Sequence, residues 1–163
     1  MPRNYSINKF ITILFIALFS LSAGAQTNEI KCSLTLSDRT LDVKIEVPPG
    51  NLDKTSFSLS DWAGQQNYAE NIYRVSAKDK NGNALALEKT GVRTWTVSNA
   101  KKAFELDYTV VSQKDSFMGN NVRNHFHPTI FKNYAFLWGM SFLLFPDEKE
   151  ILELPVKLQI NPN

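Results

Sequence analysis

From Ile30 the chain alternates apolar and polar residues with a period of two. Ile30, Cys32, Leu34 and Leu36 are set against Lys31, Ser33 and Thr35. After the turn "SDRT", Leu41, Val43, Ile45 and Val47 are set against Asp42, Lys44 and Glu46. Successive side chains of an extended strand point to opposite faces, so each run is a strand with one face buried. Two such runs joined by so short a turn pair back as a hairpin, which "PPGN" then ends.

The same punctuation continues along the chain. "SFSLS" places Phe57 and Leu59 on one face, and "NIYRVSAKD" is rich in the branched and aromatic residues that strands favour. Between them "DWAGQQNYAE" reads as a loop or one short helical turn. "KNGN" carries Asn-Gly, a strong hairpin signal, and joins the "NIYRVSAKD" strand to "ALALE". Gly91 turns the chain into "VRTWTV", with Trp95 and Val97 inward, and "AFELDYTVV" puts Phe104, Leu106, Tyr108 and Val110 on one side. Ser112 to about Lys132 is the longest irregular stretch, of a length usually associated with function or mobility. "YAFLWGM" and "SFLLFP" then read as two apolar strands, and "LPVKLQI" closes with Val156, Leu158 and Ile160 facing in. Eight or nine short strands with no sustained helical period predict an all-β fold, an antiparallel β-sandwich whose two sheets cover each other.

The segment before the first strand has a different grammar. Arg3 and Lys9 precede "FITILFIALFSL", twelve residues without a charge, and Ala23 and Ala25 form an Ala-x-Ala pattern. This reads as a secretory signal peptide over residues 1–25, because the apolar run is shorter than the ~18 residues of a membrane span. Residues 26–163 then form a single exported domain, periplasmic or secreted, with no membrane span after cleavage. An uncleaved anchor is the rival reading. Losing Arg3 and Lys9 from 18 basic residues leaves 16 against 16 acidic ones, a net charge of zero. Nucleic acid, which needs clustered Lys and Arg, is dropped as a partner. The single cysteine, Cys32, has no internal partner for a disulfide and is expected to be buried on the apolar face of the first strand.

Few residues suggest chemistry. His125 and His127 stand as His-x-His before Pro128, and on a strand both rings would point to one face. They are weak metal candidates, since a catalytic zinc takes three protein ligands and no third is recognisable beside them. Asp115, Asp147, Glu148 and Glu150 are the acids that would have to serve. There is no Gly-x-Ser-x-Gly elbow for a serine hydrolase, and "DEKE" (residues 147–150) reads as a charged turn. No catalytic residue, metal or cofactor is assigned. The aromatics Trp62, Tyr68, Tyr134 and Trp138 are the candidate binding residues, because exposed aromatics on a sandwich stack on sugars or dock another domain.

Three segments resemble the amino-terminal domain of the M61 peptidase family, the glycyl aminopeptidases. "LSDWAGQQNYAENIYRVSAKDKNGNALALEKTGVRTWTV" is similar to that family's Trp-Gly loop, strand, Asn-Gly turn and strand ending at a Trp. Trp62 and Gly64 are kept there, whereas Ser60 and Ala63 stand where the family has prolines. "FELDYTVV" is similar to its strand with a central Tyr, and "YAFLWGMSFLLFPDEKEILELPVKLQI" to its closing strands. Whole members of the family carry His-Glu-x-x-His on a helix of a thermolysin-like domain, and no such motif occurs in these 163 residues. The resemblance therefore implies a non-catalytic accessory or interaction module, free-standing or truncated, with a peptidase domain, a peptide or another protein as partner. It also implies an uncovered apolar surface. The alternative is a carbohydrate-binding or adhesive module, marked by a coplanar row of exposed aromatics.

Overall fold

A computed structural model describes residues 28–60, 67–112, 127–132 and 134–161. Its strands are β1 (Ile30–Ser37), β2 (Thr40–Val47), β3 (Lys54–Ser58), β4 (Ile72–Asp79), β5 (Leu87–Lys89) and β6 (Thr94–Ser98). They continue with β7 (Phe104–Val111), β8 (Thr129–Ile130), β9 (Ala135–Phe136), β10 (Phe145–Pro146) and β11 (Val156–Asn161). A 3-10 helix, Asn67–Asn71, and two one-turn helices, Gly139–Phe142 and Lys149–Leu152, complete the elements.

The all-β expectation holds. The first sheet has the order β11-β1-β2-β7-β4, the second β10-β3-β6-β5, and β8 and β9 form a small hairpin. The alternation read from the sequence is the reason the larger sheets stack. Ile30, Cys32 and Leu34 of β1, Leu41 to Val47 of β2 and Phe104 to Val110 of β7 turn their apolar members to one side. Phe57, Trp95 and Val97 of the second sheet meet them in one core. Across the gap, the Phe57 and Phe104 rings pack edge to face with centroids 6.0 Å apart. Cys32 is buried, and burial pushes its thiol up to about 11, so it is inert as a nucleophile at neutral pH.

Four expectations need correction. Eleven strands are present among the described residues, because β8, β9 and β10 are two-residue pairings too short to show a period. The sheets are not wholly antiparallel, since β11 runs parallel to β1, with Ile30 opposite Val156 and Leu34 opposite Ile160. The two apolar runs are mostly not strands, and the helix Gly139–Phe142 lies between β9 and β10. The buried Tyr108 hydroxyl explains that break: it donates to the Phe142 carbonyl at 3.0 Å and accepts from the Leu144 amide at 3.1 Å, so the chain turns around it. Last, Val156, Leu158 and Ile160 do face the core side, but they are 53–62% exposed. Alternation fixes the face a side chain takes, not whether anything lies over it.

The Asn-Gly turn forms as expected. Gly82 takes φ +83°, which glycine adopts freely, and Asp79 Oδ1 accepts the Asn81 and Asn83 amides at 2.8 and 2.9 Å. Its second arm pairs with β4 only through a Lys78–Ala84 bridge, and the chain then crosses to β5 in the other sheet.

Candidate functional site

His127 enters the fold as a buried support. His127 is 2% exposed, and its Nδ1 lies 2.8 Å from Asn71 Nδ2 at the end of the 3-10 helix. The amide donates, so Nδ1 is an acceptor and the ring proton belongs on Nε2, which has no partner among the described residues. The ring packs edge to face on Tyr68, centroids 4.8 Å apart. Burial lowers the His127 pKa against the opposing pull of Glu70, which keeps the ring neutral at pH 7. Tyr68, a candidate surface aromatic, is fully buried, and its hydroxyl is also without a partner among the described residues.

The other candidates are scattered. His125 and Trp62 lie outside the described residues. Trp138 is half-buried ahead of the helix Gly139–Phe142. Tyr134 is exposed and stacked on Phe131, centroids 4.6 Å apart, at the tip of the β8–β9 hairpin. Tyr73 is exposed on β4, and Phe136 is exposed on β9. Among the described residues these aromatics form no row along a sheet face. No group of three His, Cys, Asp or Glu among them is placed to hold a metal.

The acids of "DEKE" have structural partners. Asp147 Oδ2 accepts from the Ser58 hydroxyl and Glu148 Oε1 from the Ser56 amide, each at 2.8 Å. Together they fasten the short edge strand β10 to β3.

What remains is the edge of the first sheet at β11. Its core-side residues Val156, Leu158 and Ile160 stand directly opposite Ile30, Cys32 and Leu34, which are only 3–5% exposed. The row Leu158, Cys32, Ile45, Leu106, Ala77 crosses the whole sheet, and only its first member is open to solvent. Lys157 and Gln159 on the other face are also exposed. Sequence periodicity singled out these apolar residues but assigned them to the core; their exposure depends on how far the second sheet reaches, which no local pattern encodes.

Residues 29–163 match the sequence model of the peptidase M61 N-terminal domain. The chain belongs to that family. Among solved structures, the crystal structure of an aminopeptidase N family protein from Idiomarina loihiensis is similar in fold, with a TM-score of 0.63 and 17% sequence identity. That match covers 82% of this chain and 22% of the other, so the chain spans roughly a fifth of that protein's length. No curated protein sequence matches it.

Proposed function

We propose that this M61 N-terminal domain is an exported, non-catalytic accessory module that docks a protein partner through β11. One observation carries the reading: three apolar side chains continue the buried face of β1 with no cover among the described residues. A stripe of this kind marks an interaction site on a soluble domain. The charged leader followed by an apolar run and Ala-x-Ala supports export to the periplasm or beyond. The absence of His-Glu-x-x-His from the sequence supports a role that leaves peptide hydrolysis to the partner.

The test is to titrate the purified chain into an M61 catalytic domain by calorimetry and to assay glycyl-anilide hydrolysis by each protein and by the mixture. Expected is no turnover by the chain alone, with or without added zinc, and binding that Leu158→Lys weakens at least tenfold. Hydrolysis by the chain alone that co-purifies with it and is abolished by chelation would overturn the non-catalytic reading.

A further inference from the structure

We propose that β11 receives an extended segment of another protein, apolar at alternate positions and acidic where it faces Lys157, as an antiparallel sixth strand of the first sheet. The proposal rests on β11 being the docking surface and adds the chemistry of what docks there.

The backbone supplies the first half of the argument. β11 pairs with β1 along six residues, Ile30 to Thr35 against Val156 to Asn161, and among the described residues no strand pairs with its other edge. Its residues contain no proline and no positive φ, and its register has no shift. A flat edge with free N–H and C=O groups is the template on which an extended peptide adds by main-chain hydrogen bonds. Side chains at alternate positions of the added strand then meet Val156, Leu158 and Ile160 on one face.

Charge supplies the second half. On the outer face Lys157 stands directly opposite Lys31, and like charges so placed repel. Lys31 reaches Glu46 at 3.9 Å on its other side, whereas Lys157 has no acidic partner among the described residues. The next cross-strand position, on the added strand, is where a carboxylate relieves both lysines. A second copy of this chain does not provide it. Antiparallel self-pairing centred on Leu158 sets Gln159 against Lys157, and centring on Lys157 sets the two lysines against each other. The fitting occupant reads, from its amino end, apolar, polar, apolar, acidic, apolar, opposite Ile160, Gln159, Leu158, Lys157 and Val156.

The experiment uses the purified chain and two fluorescent, end-blocked peptides, Val-Thr-Val-Glu-Val and Val-Thr-Val-Lys-Val, read by anisotropy at low and high salt. Hydrogen exchange of β11 amides is followed in parallel. Expected is binding of the Glu peptide at least tenfold tighter than the Lys peptide, a gap that narrows with salt, and slower exchange in β11 when it is bound. Lys157 is exposed, so Lys157→Glu should fold normally and invert the preference. Equal binding of the two peptides, or no inversion, overturns the proposal. If neither peptide binds while Leu158→Lys still abolishes capture of the catalytic domain, the acidic-strand proposal falls and the docking reading stands. If Leu158→Lys changes neither measurement, both fall.

Discussion

At β4 the first sheet stops on a strand that is bulged and ion-paired; at β11 it stops on one whose register is unshifted and whose core side is apolar. Between Tyr73 and Ser76 the β4 register slips by one residue against β7, and Arg74 there takes φ +55°. A bulge twists an edge away from further pairing. Beyond it Lys78 Nζ lies 3.3 Å from Glu105 and 3.0 Å from Asp107, with Lys44 3.0 Å from Glu105 on the other side. The hydrogen bond from Lys44, and after it that from Lys78, holds the Glu105 carboxyl below its ordinary range against the effect of burial. β11 has none of these devices. Among the described residues the same five-stranded sheet thus ends in a bulged, ion-paired strand on one side and in an unshifted strand with no further pairing on the other.

The largest expected effect separates the buried sheet from its open edge. Leu34→Ala removes a core side chain and is expected to cost about 2–5 kcal/mol. Ile160→Ala, at its register partner, is expected to stay within about 1 kcal/mol, because most of that side chain is already in water. Urea midpoints at constant slope measure both. Equal losses would mean that the β11 stripe is covered, and the comparison would break.

How much of this was legible in the sequence follows the same division. β1, β2 and β7 were readable because each is half-buried, and period two then records the fold directly. The family resemblance was readable from the ordered segments around Trp95, Tyr108 and the last strand, and residues 29–163 bear it out. The run from Leu137 to Leu144 was not, since its apolar content suits a helical turn as well as a strand, and the Tyr108 hydroxyl decides between them from 34 residues away. His127 falls in the longest irregular stretch, yet its ring is buried and bonded to Asn71, 56 residues away in sequence, a contact no local pattern encodes. The exposure of β11 was the least legible, being a property of the second sheet's reach.

Tyr108 tests the interior of the sheet, one strand in from the β4 edge. Tyr108→Phe leaves the Leu144 amide and Phe142 carbonyl without their buried partner and is expected to cost about 1–3 kcal/mol. Faster exchange should appear in residues 139–146, with β4 and β11 little changed. A loss under about 0.5 kcal/mol would show that this hydroxyl does not hold the segment.

Acid should loosen the guarded edge before the open one. The Asn71–His127 bond lies immediately before β4 begins at Ile72. Because the folded His127 pKa is lowered from 6.5, the unfolded chain takes up a proton first. The stabilisation is therefore whole above that value and declines as the pH falls towards the folded pKa, by at most about 1.4 kcal/mol per pH unit. Stability measured from pH 7.5 to 5 should show this slope, and His127→Gln should flatten it. Protection factors at Ile72 and Tyr73, taken relative to the intrinsic exchange rate at each pH, should fall in acid while those of β11 do not; a uniform response along the sheet would sink the link to β4.

The smallest effect concerns the bulge itself. Arg74 is exposed and holds a left-handed backbone conformation that costs a side-chain-bearing residue roughly 1–2 kcal/mol. Arg74→Gly relieves that strain but adds about 0.5–1 kcal/mol of unfolded-state entropy. A net gain below about 1 kcal/mol is expected, with the bulge and its protection of the edge retained. Arg74→Val sharpens the contrast, because a β-branched residue resists positive φ and favours an extended strand. Its cost should come with a straighter β4 and a new tendency to associate through that edge, visible as concentration-dependent sedimentation. If Arg74→Val stays monomeric at every concentration, the bulge is not what guards β4, and the protection belongs to the lattice of Lys78, Glu105 and Asp107 alone.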